Sequence, residues 1–562
     1  MKRWLPGVCL LILALGHALP ALTADSPGYH AVASAHPAAT AAGRAVLDAG
    51  GNAFDAAIAV AAALAVVEPY SSGIGAGGFF LLHHAADARD IFVDARETAP
   101  AAANEDMYLD EQGEFVDKRA LDGALAAAIP GLPAGLVHLA ERYAKRPLAA
   151  DLAPAIALAR DGFAVTERYQ MMAGFRASAF AAEPEGQKIF LVDGKAPPAG
   201  TVIRQPDLAA TLERLGADGV DGFYRGPLAE KLVAGVRASG GVWTLADLEA
   251  YAIKERPPIV GSYHGVKVVS APPPSSGGIV LVEALNILER YDLDSYDDAA
   301  RRHLVIEAMR RAYRDRADFL GDPDFVEMPV ARLVGKTYAA QMAADLSLDK
   351  ATPTSALPPI GRQPKGADTT HFSVIDADGN RVAATLSINY PVGALVVPPG
   401  SGVLLNNEMD DFASRPLTPN AYGLVGADAN AIKGGKRPLS SMTPTFLEGE
   451  ERLGILGTPG GSRIISMVLL GALEYMDGRE PLAWVSVPRY HHQYLPDVVE
   501  YEAGAFTADT LAALGTRGHA LKESSRDYGN MQAILWDRQA GVVKAAADPR
   551  GEGTAEVWAP SK

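Results

Sequence analysis

One cysteine constrains this chain more than any other residue. Cys9 is the only cysteine in 562 residues, and it lies inside a segment that reads as disposable. Lys2 and Arg3 precede the apolar run 8–15, and small residues follow as far as Ala24. Basic, then apolar, then small is the order of a secretory signal, and the apolar run is too short to span a bilayer. Leu5-Pro6-Gly7-Val8 before the cysteine does not look like a lipoprotein acylation site. Cleavage after Ala24 removes 24 residues and leaves 538 without a thiol. Lys2 and Arg3 leave too, so the formal charge moves from −16 to −18. An exported chain without disulfides must be held by its core alone. At this length it can be, as more than one domain or as one large two-lobed domain. Zinc–thiolate sites and cysteine nucleophiles are excluded in the mature form. The expected location is the periplasm or the medium.

The rest of the composition narrows the class. Apolar residues at 48% and charged residues at 21% describe a globular protein rather than a disordered one. The acidic balance argues against nucleic acid, whose phosphates need a basic surface. Beyond the signal no apolar run reaches the roughly 18 residues of a membrane span.

Along the chain, 39–67 predicts two helices separated by Gly50-Gly51-Asn52, with Asp55 in the first turn of the second. Glu68-Pro69 stops that helix. Gly73, Gly75 and Gly78 then spell G-x-G-x-x-G, and 79–83 reads as a strand. A dinucleotide site needs strand, glycines, helix. Here the order is helix, glycines, strand, so close backbone packing at a tight turn is the better reading. The stretch 147–320 is mostly helical, with a short strand at 266–270 and a charged amphipathic helix at 309–322. Between 351 and 368 the apolar pattern gives way to Pro, Ser, Gly and Gln, which predicts an exposed, mobile linker.

Strand-like alternation follows the linker. Phe372 and Val374 share one face, and Val382, Ala384, Leu386 and Ile388 share another. Between them Asp376 to Asn380 makes a turn, with Gly379 suited to a left-handed position. That closure pairs Asp376 with Asn380. Counting back sets Thr369 opposite Ser387, with Asn389 as a diagonal neighbour on the same face. Two hydroxyls and a carboxamide therefore gather where the linker meets the strand.

The residues around that point resemble a family. Asp368-Thr369-Thr370-His371-Phe372-Ser373 is similar to the processing site of the γ-glutamyltranspeptidases, or glutathione hydrolases. Further stretches match the family's motifs in order: 50–57, 68–75, 94–100, 272–278, 404–412, 437–442, 459–463 and 548–550. The likeness runs from about residue 27 to the C-terminus. It implies an α+β fold of the N-terminal nucleophile hydrolase type, a four-layer αββα sandwich. It also implies an inactive precursor in which the Thr369 hydroxyl attacks the Asp368–Thr369 bond. A large subunit 25–368 and a small catalytic subunit 369–562 would then form a heterodimer. Cleavage gives Thr369 a free α-amino group, with a pKa of about 8 or lower when buried, that can serve as its base.

The same resemblance implies roles for other residues. Arg96 anchors the substrate α-carboxylate, which a guanidinium fork matches. Ser440 and Ser441 complete that site. Glu408, Asp411 and Asn389 hold the α-ammonium. Gly460 and Gly461 form the oxyanion hole, where backbone N–H groups must come close. Ser387 supplies the second catalytic hydroxyl, and Tyr422 lies in the lid loop. Glutathione and other γ-glutamyl compounds are the expected donors, with water, amino acids or dipeptides as acceptors. The tandem pairs His83-His84 and His491-His492 lack metal-binding spacing, and no strict G-x-S-x-G occurs. No metal and no cofactor are expected. One alternative is an acylase on the same scaffold cleaving glutaryl side chains of β-lactams. A glutaryl group has no ammonium, so an acylase need not keep Glu408, Asp411 and Asn389. The other is an exported amino-acid binder that never matures.

Overall fold

The second helix shows how the layers are assembled. In the computed structural model, which describes residues 26–357, 369–413 and 428–560, the first two helices are Pro37–Asp48 and Ala53–Val67. Asn52 caps the second: its side chain accepts from Phe54 N and Asp55 N, while Asp55 accepts from Asn52 N at 2.7 Å. Every residue of Ala53–Val67 is buried, so it needs cover on all sides. Pro37–Asp48, Leu132–Arg142 and Leu148–Asp161 supply part of it. The strands Thr370–Ile375 and Arg381–Ser387 supply the rest.

Those strands are central in a seven-stranded sheet. From edge to edge it runs Thr554–Trp558, His30–Ser34, Thr370–Ile375, Arg381–Ser387, Gly77–His84, Arg89–Ala95 and Lys254–Arg256. Phe372, Val374, Val382, Ala384 and Leu386 face the helices just named. Ala31, Ala33, Phe79, Leu81 and Ala383 turn the other way, onto Phe446, Ile455 and Ile534. The latter belong to a six-stranded sheet ordered Val542–Ala547, Gln532–Asp537, Arg452–Gly457, Thr445–Glu448, Val266–Ser270 and Ile259–Tyr263. Gly277–Leu288 and Ile464–Met476 pack on its outer face. The order is helix, sheet, sheet, helix, the αββα sandwich the family likeness implies.

The hairpin keeps the predicted register. Asp376 N donates to Asn380 O at 3.0 Å, and Gly379 has φ 95°. Pairing continues to Leu386 opposite Thr370, which leaves Thr369 at the strand mouth. The strand read as 79–83 begins two residues earlier, at Gly77. The glycine run packs as expected: a Cβ on Gly75 would sit 2.1 Å from Leu404 O.

Two readings need correction. The charged helix is Asp298–Phe319, 22 residues, rather than 309–322, and its charges from Glu307 to Arg316 are interior. Glu307 pairs with Arg310 at 3.2 Å and Arg311 at 2.5 Å. Opposite charges at these spacings satisfy one another, so a polar helix can be buried. The start of the proposed linker is also anchored. Thr354 is buried, its N donates to Asp497 Oδ2 at 2.8 Å, and its hydroxyl donates to Tyr494 O at 3.0 Å. Pro353 and Ser355 on either side of it are exposed, as the composition predicts, so it is Thr354 that pins this end. Residues 358–368, with the Asp368 side of the junction, and the expected signal 1–24 lie outside the described residues.

Candidate active site

The site is assembled where loops cross the mouth of the first sheet. Asn406 pins one of them: its Nδ2 donates to Gly75 O and Ala128 O, both at 2.8 Å. Its Oδ1 accepts from Glu408 N at 3.0 Å, which starts the short turn Glu408–Asp411. Asn407 Oδ1 accepts from Tyr390 N, and Asn389 Nδ2 donates to Asn407 O at 2.8 Å. Asn389 has φ 71°, the left-handed region that asparagine tolerates. Its N donates to Ser387 Oγ at 2.9 Å. The end of the hairpin and the acidic turn are therefore locked together.

One small cavity collects the chemistry. Thr369, Ser387, Asn389, Arg96, Asp411, Ser440, Ser441 and Gly461 line it, with Met442 and Ile464. Thr369 is 4% exposed. Its neighbour Thr370 donates through Oγ1 to Glu68 Oε2 at 2.8 Å, which fixes the chain just beyond Thr369. Gly460 lines an adjoining wide groove with Tyr390, Arg463 and Tyr528. Gly460 and Gly461 have φ 143° and 56°, conformations that side chains disfavour. Tyr422 lies outside the described residues.

Arg96 is wholly buried, and its donors are engaged. Nη1 reaches Glu408 Oε2 and Nη2 reaches Asp411 Oδ2, each at 2.5 Å, while Nε donates to Pro438 O at 3.2 Å. The residue expected to receive a carboxylate is thus already paired with the two acids expected to receive an ammonium. Burial pushes the Glu408 carboxyl up to about 7; Arg96 pulls the other way, and Asp411 pushes with the burial. Among the described residues Glu408 Oε1 has no well-aligned hydrogen-bond partner, although the Ser387 hydroxyl faces the carboxyl and favours its ionised form. Burial also raises Glu97, well above the usual carboxylate range, and Glu408 adds to it.

Ser440 and Ser441 come from a loop held by the 272–278 motif. Ser275 Oγ donates to Met442 O at 2.7 Å, and Ser276 Oγ to Ser440 O at 2.7 Å. Ser440 Oγ accepts from Met442 N at 3.1 Å.

The γ-glutamyltranspeptidase family model matches residues 39–558. The chain belongs to the γ-glutamyltranspeptidase family. The glutathione hydrolase proenzyme of Escherichia coli K12 is 42% identical over 528 residues, covering 92% of this chain and 90% of that protein. An acylase ACY 1 proenzyme of Pseudomonas sp. V22 is 38% identical over 533 residues, covering 93% and 92%. Among solved structures, the cephalosporin acylase of Bacillus halodurans aligns with TM-score 0.83 at 28% identity, over 97% of this chain and 99% of that one. The γ-glutamyltranspeptidase of Helicobacter pylori aligns with TM-score 0.57 at 40% identity, over 58% and 94%.

Reading the sequence as a γ-glutamyltranspeptidase missed three groups beside the site. Glu97 and Glu68 lay within family motifs without a role at the site, Glu68 being read as a helix end. Arg316 was one charge in a charged helix, and nothing local distinguished it. Two carboxylate–imidazole clusters lie elsewhere among the described residues: His303, Glu307 and His519, and His83, Asp90 and Glu448. In the first, both Glu307 oxygens accept from arginines. In the second, Lys267 bridges Asp90 and Glu448 at 2.7 and 3.0 Å. Cations of the chain already occupy these donors, so neither set is arranged for a metal.

Proposed function

We propose that this chain is a γ-glutamyltransferase and glutathione hydrolase that matures by cutting itself between Asp368 and Thr369. The hydroxyl of Thr369 attacks the γ-carbonyl of the donor, and its freed α-amine takes the hydroxyl proton. The backbone N–H groups of Gly460 and Gly461 face the oxyanion. Collapse expels the leaving amine, which takes the proton, and leaves a γ-glutamyl ester on Thr369. Water or the amine of an amino acid or dipeptide then resolves the ester and restores the hydroxyl. Export and a heterodimer of 25–368 with 369–562 belong to the same reading. No helix among the described residues is long and apolar enough to cross a membrane.

The observation that carries the reading is one cavity holding a threonine, an arginine, three serines and an acid, with a second acid on the same guanidinium. That set suits a zwitterion, with donors for a carboxylate and acceptors for an ammonium. A glutaryl acylase has no use for the acceptors. Mass spectrometry of the purified protein incubated with glutathione tests it. Two chains meeting at 368/369, with release of glutamate and cysteinylglycine, are expected. A single chain that releases nothing would point to the binder, and faster turnover of a glutaryl amide to the acylase.

A further inference from the structure

Asp298–Phe319 carries a run of arginines, and one of them breaks the pattern. Arg310, Arg311 and Arg314 each ion-pair with a carboxylate. Arg316 is as deeply buried, at 3% exposure, yet the bonds of its guanidinium run to two serine hydroxyls. Nε donates to Ser276 Oγ at 2.9 Å, and Nη2 donates to Ser441 Oγ at 3.2 Å. Burial draws its pKa down to about 10, with Tyr313 and Asp411 opposing through space. A buried charge without a carboxylate beside it is costly.

What Arg316 does to the serine loop follows from hydrogen-bond capacity. A serine hydroxyl has one proton and two lone pairs. Ser441 Oγ accepts from Arg316, so its proton is left to donate elsewhere, and Ser441 lines the cavity. Ser440 Oγ likewise accepts from Met442 N. Ser276, held by Arg316, donates to Ser440 O. One guanidinium thus holds both serines, directly and through Ser276, and gives the 272–278 motif a purpose.

Charge balance points the same way. Arg96 is faced by Glu408 and Asp411, so an incoming carboxylate meets a guanidinium already shared with two acids. The cation behind Ser441 makes no ion pair among the described residues and feels Asp411 only through space.

We propose that Arg316 is a positioning residue for recognition of the substrate α-carboxylate: it orients the Ser441 hydroxyl proton into the cavity and supplies the positive charge that Arg96 shares with the two acids. A zwitterionic α-amino acid would then lie with its carboxylate toward Ser440 and Ser441 and its ammonium toward Asp411 and Asn389. The proposal rests on the γ-glutamyl reading above.

The test compares γ-glutamyl p-nitroanilide with its α-carboxamide counterpart, which keeps the ammonium and loses the anion. In Arg316→Met, KM for the carboxylate substrate should rise about tenfold, with a smaller change in kcat. The loss on the carboxamide should be at least about fivefold smaller. Arg316→Lys keeps the charge and should recover part of the difference. Ser441→Ala should lose selectively as well, and Arg316→Met added to it should cost little more, because both act on one contact. If Arg316→Met does not fold, Arg316→Lys carries the comparison alone. Equal losses on both substrates in the folded variants would overturn the proposal and leave Arg316 a structural residue. A wild type that does not turn over the γ-glutamyl anilide would instead overturn the functional reading.

Discussion

Arg96 Nη2 lies 2.5 Å from Asp411 Oδ2, across a boundary between two loops that are 315 residues apart in sequence. The contact ties the residue after the strand Arg89–Ala95 to the turn Glu408–Asp411. A substrate carboxylate bound here, as proposed, would exchange ion pairs rather than fill an empty cation. A zwitterion can do so without net change of charge, because its ammonium offsets the acids while its carboxylate takes the guanidinium. An anion alone cannot.

Self-cleavage is the first expectation. Thr369 sits at the mouth of a strand that pairs in register to Thr370, and Thr370 is anchored on Glu68. Thr369→Ala should stay a single chain on a denaturing gel. The small band of the wild type should begin Thr-Thr-His-Phe. A mutant that still splits at 368/369 would assign processing to another nucleophile.

Arg96→Lys isolates the fork. Lysine keeps the charge but cannot hold Glu408 and Asp411 while also meeting a carboxylate in two bonds. Turnover of a γ-glutamyl anilide should weaken by about 1.5–3 kcal/mol, the scale of charge-assisted hydrogen bonds. Maturation should persist. Unchanged steady-state kinetics would remove Arg96 from the binding site.

How much of this was legible depends on the range of the interaction. The hairpin was readable because alternation and a left-handed glycine are local, and they set Thr369 near Ser387 by counting. The capped helix at Ala53 was readable for the same reason. The pairing of Arg96 with Glu408 and Asp411 was not, because it joins segments over 300 residues apart. The charged helix misled because i, i+4 charges look alike on a solvated face and in a neutralised interior. Arg316 differs from Arg314 only in what the fold sets beside it.

The Glu408 carboxyl gives a pH dependence. Buried, it holds its proton up to about 7, well above the ordinary range of a glutamate. A folded pKa raised above the unfolded one stabilises the fold below the unfolded value, and that stability is lost as pH rises through the folded value. The ligand-free protein should therefore lose Tm between about pH 4.5 and 7 relative to Glu408→Gln. Catalysis runs the other way, since an ionised Glu408 holds Arg96 and adds negative charge behind Asp411 and the substrate ammonium: KM for a γ-glutamyl anilide should fall as pH rises through about 7. Glu408→Gln should flatten that change, while any titration of the Thr369 amine remains. Parallel KM profiles for both proteins would exclude Glu408.

Asp411 is where γ-glutamyl and glutaryl specificity can be told apart by experiment. The two acyl groups share a carboxylate and differ only in the α-ammonium. Asp411 lines the cavity, whereas Glu408 reaches it through Arg96, so on the proposed reading Asp411 is the acid a substrate ammonium would meet. Asp411→Asn keeps size and hydrogen bonding and removes one charge. For a γ-glutamyl substrate the ammonium loses its partner. For a glutaryl substrate the change relieves a like charge beside Arg96 and leaves the guanidinium freer for the carboxylate. The ratio of kcat/KM for γ-glutamyl over glutaryl anilides should fall by at least about tenfold, or ~1.4 kcal/mol. The fall should come from both directions, a loss on one substrate and a flat or improved value on the other. Equal losses on both would mean that Asp411 serves the fold or the nucleophile, and would favour the acylase reading instead.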